Sequence, residues 1–407
     1  MNNATLETAV QQFVKDNIEY YQQWLFDEPV YLSSAHIVRL QRLQHILLKL
    51  IRGFVEQYEA YCHLMPVSTK VRNVLDIFSE RPYCPGTYRT DFVYAENQQV
   101  KLIEITCRFA LNGIFLAAVI RQHTTNFLKR DHPDLKIVDL YQPIFEYLEQ
   151  LRSGAKTLVV LQGADTRNES KIYQDIYKEM GVSVHLLQYT ELKENLNLLE
   201  ESWVVSELSM DEILSLDKDI IQNLAALNII NDFRTIFLVH DKRFFSVLGD
   251  TELQSALLSQ EEIDFFKNFY VNTYNANQHP DIVAKAQSNK NGWVLKHRAL
   301  GKSQSVYAGI VTDEEVWSTV LNEANLEDYG LQEWIPQRRH QGEIQGEPYQ
   351  DFLTGTLIFF DDNFFGFGDF RTSSHPVTNV VDHRKASSVI VSEEDIERLS
   401  PNIAICS

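Results

Sequence analysis

The sequence is short of cysteine and of basic residues, and both shortages restrict what the protein can be. Its four cysteines, at positions 62, 84, 107 and 406, form no Cys-x-x-Cys pair, so neither a zinc site nor a disulfide framework is indicated. The formal net charge of −19 at pH 7 argues against nucleic acid and anionic membrane as partners, because both bind basic surfaces. A small anionic ligand needs only a local basic pocket.

Long apolar segments are also lacking. The first ten residues, MNNATLETAV, show no basic stretch followed by an apolar one, and no apolar run approaches the length of a membrane span. We therefore expect a cytoplasmic protein that acts on small molecules and has neither a nucleic-acid nor a membrane partner. A homodimer is compatible with the sequence. The 407 residues allow two or three domains.

The chain begins with helical patterns and continues with alternating strands and helices. Apolar residues at helical spacing predict helices over residues 1 to about 80. A strand at 157–162, a helix at 171–180 and a strand at 182–188 form a β-α-β unit. This unit is Rossmann-like in pattern but lacks Gly-x-Gly-x-x-Gly, so it does not indicate a dinucleotide. Further along, we predict a helix over 313–321 with Thr312 as its N-cap.

The most informative segment is a predicted β-hairpin over residues 91–108. A two-residue turn at 97–98 would place Asp91 directly opposite Glu104. Like charges that face each other across paired strands repel, so a cation between them is expected, and oxygen ligands suit a hard ion such as Mg²⁺. The alternative is an amphipathic hairpin whose charged residues face water, and a slip of one residue in register would favour it.

A second candidate site is a basic loop between the predicted strand ending at Lys296 and the one beginning at Ser305. A lysine at the end of an apolar strand suggests an ammonium group that needs an anion; the alternative is a lysine that extends from the strand end to solvent. The loop contains Gly301-Lys302-Ser303 but is not a P-loop, because position 296 is not glycine and a strand follows instead of a helix. Such a loop can still fold over phosphates.

In the order and type of these motifs, the chain resembles the circularly permuted ATP-grasp ligases of the eukaryotic glutathione synthetase and glutathionylspermidine synthetase kind. The resemblance covers most of the chain from about Tyr88 to Val391. Its order is distinctive, because the carboxylate hairpin precedes the lysines, whereas ordinary ATP-grasp enzymes carry the carboxylates last. The resemblance implies an α+β fold, namely a circularly permuted ATP-grasp with an inserted Rossmann-like α/β substrate domain and an N-terminal helical region.

This resemblance divides the chain into four parts. We expect the N-terminal helical region over 1–85 and a permuted ATP-grasp part with the metal-carboxylate hairpin over 86–150. The Rossmann-like substrate domain would cover 151–235, and the ATP-grasp nucleotide-binding and lid region would cover 236–407.

The family motifs also imply roles at the hairpin and beyond it. Arg89-Thr90-Asp91 looks like the family's Arg-x-Asp, which would place Arg89 on the substrate and Asp91 on Mg²⁺. Glu104 takes the position of a second metal ligand. Arg371 lies in a segment similar to the late Arg-Thr that binds the acceptor carboxylate, so Arg89 and Arg371 would be catalytic. Arg108 has no counterpart that we can place; it could bind a carboxylate or phosphate of the substrate, or pair with Asp91 or Glu104.

For the nucleotide, the family resemblance implies two phosphate-binding lysines and a hinge. Lys242 is similar to the lysine that opens a helix, and Lys296 matches the lysine of a Val-Leu-Lys strand. Gly301 and Lys302 stand in the lid loop. Glu333-Trp334-Ile335 resembles the interdomain hinge whose backbone contacts adenine. ATP and Mg²⁺ are therefore the expected cofactors.

Two departures from the family keep its function open. Thr106 stands where the family has an asparagine metal ligand, and Leu300 is the nearest counterpart of an expected glutamate. We expect an ATP- and Mg²⁺-dependent carboxylate–amine ligase that acts through an acyl phosphate on an amino acid, a small peptide or a specialised-metabolite acid. The alternatives are a non-catalytic nucleotide-binding protein of the same fold and an ATP-dependent phosphotransferase.

Overall fold

A computed structural model of the protein describes residues 5–111, 113–165, 169–301, 304–378, 382–399 and 404–405. Within these ranges the helices are α1 (Leu6–Tyr21), α2 (Ser34–Glu56), α3 (Tyr58–Tyr61), α4 (Thr69–Ser79), α5 (Ile114–Asp131), α6 (Pro143–Arg152), α7 (Glu169–Glu179), α8 (Leu196–Glu200), α9 (Met210–Leu214), α10 (Lys218–Ala226), α11 (Phe244–Leu248), α12 (Thr251–Leu257), α13 (Gln260–Lys267), α14 (Pro280–Ser288), α15 (Glu314–Glu323) and α16 (Glu393–Arg398). Among them, none has the length and apolar composition that a bilayer span requires.

The strands of the described residues form four sheets. They are β1 (Val30–Ser33), β2 (Arg89–Tyr94), β3 (Val100–Thr106), β4 (Ile137–Val138), β5 (Thr157–Gln162), β6 (Ser183–Gln188), β7 (Trp203–Ser206), β8 (Ile229–Ile230), β9 (Thr273–Asn275), β10 (Trp293–His297), β11 (Val306–Ala308), β12 (Tyr329–Glu333), β13 (His340–Ile344), β14 (Glu347–Phe360), β15 (Asn363–Phe367), β16 (Phe370–Ser373), β17 (Lys385–Ala386), β18 (Ser388–Val391) and β19 (Ala404–Ile405).

The largest sheet has seven strands and carries the predicted hairpin at its edge. Its main path runs β17-β16-β14-β2-β3, and β13 and β15 also pair with the long strand β14. Gly355 on β14 lies over the ring of Phe92 on β2, and a Cβ at this glycine would come within 2.3 Å of Phe92 Cζ. Glycine therefore permits the close packing that fixes β2, and with it Asp91, against the centre of the sheet.

The hairpin β2–β3 pairs Asp91 with Glu104 as predicted, but by a different route. The connecting loop has three residues instead of two, and its last residue, Gln98, has φ of 68°. This loop shifts the pairing by one position near the turn. A β-bulge then inserts Ile103 as an extra residue and restores the register at Asp91. The predicted contact is correct, and the predicted turn is wrong.

The Rossmann-like part is a parallel sheet in the order β6-β5-β7-β8. The predicted strand at 157–162 is β5, the predicted helix is α7 and the predicted returning strand is β6, each within two residues at its start. Residues 158–162 are buried, as expected of a parallel strand covered by helices on both faces. Helix α7 begins at Glu169, beyond the carboxyl end of β5.

A smaller antiparallel sheet has the order β11-β10-β12-β9. Its own core includes Trp293, Leu295, Leu331 and Trp317 of α15. The N-cap of α15 is Asp313, and the Thr312 hydroxyl instead donates to the carbonyl of Ala308 (2.8 Å), so the predicted cap is wrong.

The first 80 residues are not entirely helical. Strand β1 interrupts the helices and pairs in parallel with β18, so the beginning and the end of the chain share one sheet. All four residues of β1 are buried. A strand this short shows no periodicity that distinguishes it from a helix.

Candidate active site

Two clefts meet at the Asp91–Glu104 pair. The first, of about 680 Å³, opens between the small antiparallel sheet and the seven-stranded sheet. The second, of about 1260 Å³, opens between the hairpin, the start of α7 and the loop after β10. Asp91, Glu104 and Arg371 line both clefts. A molecule that fills the first cleft would therefore present one end to the second.

The first cleft is lined by both apolar and polar residues, and the wall that it shares with the second cleft is charged. The predicted hinge, Glu333-Trp334-Ile335, lines it together with Lys296. Its apolar wall is formed by Val93, Ile103, Val294, Val306, Ala308 and Ile335. Such a cleft suits a ligand with a flat apolar group at one end and an anionic group at the other.

Lys296 connects the two sheets. Its ammonium donates to the carbonyl of Ile103 on β3 (2.9 Å) and to Oε1 of Gln332 on β12 (2.7 Å). The side chain is 8% exposed, and burial lowers the pKa of Lys296 to about 8 although Glu104 opposes the shift. Both of its acceptors are neutral, so neither cancels its charge.

Lys242 lies just before α11 and pairs with Glu104. Its Nζ is 3.5 Å from Glu104 Oε1 and also donates to the carbonyl of Leu300. Burial favours a raised pKa for Glu104, but Lys242 and Lys296 outweigh it and hold that pKa below the usual value. Leu300 thus contributes its main chain to the site, while its side chain is 36% exposed.

Arg371 and Asp91 form the other charged pair of the shared wall. A guanidinium N–H of Arg371 donates to Asp91 Oδ2, and Arg89 Nε lies 3.7 Å from Asp91 Oδ1. Burial opposes the charge of Arg371, but Asp91 and Asp369 raise its pKa above the usual value. Among the described residues, none donates a hydrogen bond to the buried Asp91 Oδ1. The contacts of Asp91 with Arg371 and Arg89 hold this oxygen in place, and it can still coordinate a cation or accept a hydrogen bond.

The carboxylate pair fits a Mg²⁺ ion only if a ligand supplies the remaining oxygens. Within the described part of the chain, no group of three or more His, Cys, Asp or Glu residues could hold a metal. Mg²⁺ is usually bound through one or two carboxylates together with substrate phosphates. Asp91 and Glu104 supply that number, and Asp91 Oδ1 is available. Thr106 ends β3 beside them and lines the second cleft.

Arg108 lines the second cleft and contacts the Rossmann-like part of the chain. Its Nε donates to the carbonyl of Glu207 (2.9 Å). Its terminal nitrogens lie 3.7 Å from Asp165 and from Glu212 in the Rossmann-like part. Gly301 lines the second cleft, whereas Lys302 lies outside the described residues.

The second cleft also contains residues that the sequence did not single out. Glu169 accepts a hydrogen bond from the backbone N–H of Gly113 (2.7 Å), and burial raises the pKa of Glu169 to about 7. Lys385 donates to Asp369 (2.5 Å). His240 is neutral near pH 7, because burial and Lys242 lower its pKa to about 4. Only Glu169 had a sequence signal, since it follows the loop at the carboxyl end of a predicted parallel strand.

Comparison with solved structures shows the fold. A glutathione synthetase-like effector (GSS30) from Globodera pallida, in its apo form, matches with a TM-score of 0.59, covering 93% of this chain and 97% of that chain. The two sequences are 11% identical, so the likeness concerns the fold alone. The family model of the AnkG N-terminal domain matches residues 41–238, fewer than half of the 407 residues. No curated protein matches significantly. The chain is thus a mixed α/β protein with a glutathione synthetase-like fold.

Proposed function

We propose that the protein is an ATP- and Mg²⁺-dependent carboxylate–amine ligase with a circularly permuted ATP-grasp fold. The observation that carries this proposal is the wall shared by the two clefts, which Asp91, Glu104 and Arg371 form. Two lysines lie beside this wall: Lys296 lines the first cleft, and Lys242 is 3.5 Å from Glu104. A nucleotide in the first cleft and a carboxylic acid in the second would meet there. The permuted order is supported by the position of the hairpin, which precedes both lysines in the chain.

The nucleotide would lie in the first cleft with its base against the hinge at residues 333–335. Its phosphates would reach Lys296 and Lys242, and we propose that Gly301 and Lys302 also bind them. Phosphoryl transfer requires positioning and charge stabilisation from the protein and little covalent chemistry. The ammonium groups of Lys296, in the first cleft, and of Lys242, beside Glu104, would supply such charge.

Asp91 and Glu104 would hold Mg²⁺ together with the phosphates. Bound there, the ion would neutralise charge on the transferring phosphoryl group. Asp91 is now paired with Arg371, and Glu104 with Lys242. Mg²⁺ held by the two carboxylates would compete with these pairings. Both cations would then be released toward the phosphates and the acceptor.

The acceptor carboxylate would lie in the second cleft, oriented by Arg89 and Arg371. A planar guanidinium matches the geometry of a carboxylate better than an ammonium does. One carboxylate oxygen would attack the γ-phosphorus of ATP, and the bond from that phosphorus to the bridging oxygen of the β-phosphate would break. ADP departs as the leaving group, and the acid becomes an acyl phosphate. The amine then attacks the carbonyl carbon, phosphate departs, and the amine proton is lost to solvent or base. An amino acid, small peptide or specialised-metabolite acid fits this role, and Arg108 also lines this cleft.

A non-catalytic nucleotide-binding protein is the second candidate. Thr106 and Leu300 replace two polar groups expected of the family, and Leu300 contributes only a carbonyl to Lys242. A phosphotransferase that stops at a phosphorylated product is the third. These candidates differ in what becomes of ATP, so one assay separates them.

The assay combines the protein with ATP, MgCl₂ and pools of amino acids and amines, and follows ADP, phosphate and product masses. Ligation predicts ADP release that requires both an acid and an amine and that disappears in Glu104→Gln and Lys296→Ala. Lys285→Ala is the matched control, because this lysine is exposed on α14 of the same small sheet unit. A phosphorylated product without an amide supports the phosphotransferase. Binding of ATP without turnover supports the non-catalytic protein.

A further inference from the structure

Gln332 and Lys296 are diagonal neighbours on one face of the small sheet. Gln332 pairs with Val294, and Lys296 lies two residues beyond Val294 on the same strand. Side chains at such diagonal positions are within reach of each other when they are long. Gln332 is 3% exposed, so its amide is a buried polar group that must be satisfied by the protein.

The orientation of the Gln332 amide is fixed by Thr273. The Thr273 hydroxyl donates its single proton to the carbonyl of Val271 (2.9 Å), so it can only accept from Gln332. The Gln332 Nε2 group donates to that hydroxyl (3.0 Å). The other end of the amide, Oε1, is thereby turned toward Lys296, whose ammonium donates to it at 2.7 Å.

The bulged residue Ile103 completes the support of this ammonium. Its carbonyl accepts from Lys296 Nζ at 2.9 Å, across the gap between the two sheets. An ammonium has three N–H donors, so one remains for the first cleft, which Lys296 lines. Lys242 differs, because a carboxylate, Glu104, lies 3.5 Å from it. Two neutral acceptors hold Lys296 in place without neutralising it.

We propose that Gln332, anchored by Thr273, is a positioning residue that holds the Lys296 ammonium ready for an anionic ligand in the first cleft. The identity of that anion, the phosphates of a nucleotide, rests on the function proposed above. The contact itself does not depend on that function. Gln332 acts through its acceptor oxygen, so removal of the oxygen alone is the informative change.

The first measurement uses the ligand-free protein. Competitive acetylation across a pH series, with peptide mass spectrometry, gives the midpoint at which Lys296 becomes reactive. A hydrogen bond to the charged form stabilises it, so we expect this midpoint to fall by about one pH unit in Gln332→Met. Thr273→Val removes the hydroxyl that anchors the Gln332 amide but leaves the amide in place. This variant should lower the midpoint by less than Gln332→Met does. Gln341→Met, at an exposed position of β13, is the control and should leave it unchanged.

The second measurement is calorimetric titration with MgATP and with adenosine. Gln332→Met should weaken MgATP about tenfold and leave adenosine unchanged, because only the phosphates reach Lys296. Gln332→Glu should keep the Lys296 midpoint at or above the wild-type value, yet weaken MgATP, since a carboxylate would neutralise the ammonium. A general loss of structure would weaken both ligands and lower the melting temperature.

The two measurements separate the two proposals. An unchanged Lys296 midpoint in Gln332→Met overturns the role of Gln332, whatever the nucleotide does. If the wild type binds MgATP, an affinity in Gln332→Met equal to that of the Gln341→Met control overturns the role as well. If the wild type binds no MgATP while the Lys296 midpoint still falls, the proposed function fails and the positioning role of Gln332 stands.

Discussion

Arg371 on β16 donates a hydrogen bond to Asp91 on β2, although 280 positions separate the two residues in the chain. The long strand β14 lies between them and pairs with both. The order of strands in the sheet thus brings Arg371 and Asp91 to the same face, where both residues line the wall common to the two clefts. A buried pair of this kind is costly to break, because the remaining charge loses its partner.

Arg371→Met should therefore destabilise the protein. The Asp91 carboxylate would stay buried with Arg89 as its nearest cation, and we expect the free energy of unfolding to fall by about 3 to 5 kcal/mol. Urea denaturation measures it. In Arg371→Met/Asp91→Asn the loss should be smaller than the sum of the single losses. Arg398→Met, which breaks an exposed pair with Asp395, should cost less than about 1 kcal/mol. Additive losses at Arg371 and Asp91 would contradict the pairing.

Glu169 should make stability depend on pH. Burial raises its pKa from the ordinary 4.5 to about 7, so between these values the folded protein binds more protons than the unfolded one. The stabilisation that Glu169 contributes to the folded state is therefore complete below about pH 4.5. It decreases as the pH rises and is lost above about pH 7.

The matched variant is Glu169→Gln, which has no charge to bury. It should be more stable than the wild type by about 1 to 3 kcal/mol at pH 8 and nearly equal to it at pH 5. Thermal or urea unfolding at the two pH values checks this. Glu179→Gln, at the exposed end of the same helix, should show no such difference. A benefit of equal size at both pH values would refute the raised pKa.

Asp91→Asn and Glu104→Gln should reduce the dependence of ATP binding on Mg²⁺. Each removes one of the two carboxylates available to an ion held with the phosphates. We expect the affinity for MgATP to drop about tenfold or more, whereas ATP with EDTA should bind equally well or better. Asp362→Asn, in the exposed turn after β14, is the control. If MgATP binds each carboxylate variant as it binds the control, these residues hold no metal.

Local sequence patterns predicted those helices and strands that are determined by their own residues and not by tertiary contacts. The strand at 157–162 is a continuous apolar run bounded by polar turns, and the helix and strand that follow are similarly marked. The Asp91–Glu104 contact was predicted correctly from the wrong loop, because the bulge at Ile103 compensates for it. The carbonyl of this bulged residue bonds to Lys296, a contact between distant segments that no local pattern encodes.

The rest of the site depends on tertiary neighbours. Arg108 had no family counterpart that we could place, and its contacts are with the Rossmann-like part, whose position relative to β3 is a property of the whole fold. Gln332 appears in the sequence as one polar residue in a strand. Its role becomes visible only when the pairing of β10 with β12 places it beside Lys296.

The measurement that tests the central proposal most directly follows oxygen from the acid to phosphate. The protein is incubated with ATP, MgCl₂, amines and a pool of amino acids labelled with ¹⁸O in their carboxylates. Ligation through an acyl phosphate predicts that each phosphate released carries one ¹⁸O atom and that ADP, labelled phosphate and amide form in equal amounts. Unlabelled phosphate, or no ADP above the level of Lys296→Ala, would contradict the proposal.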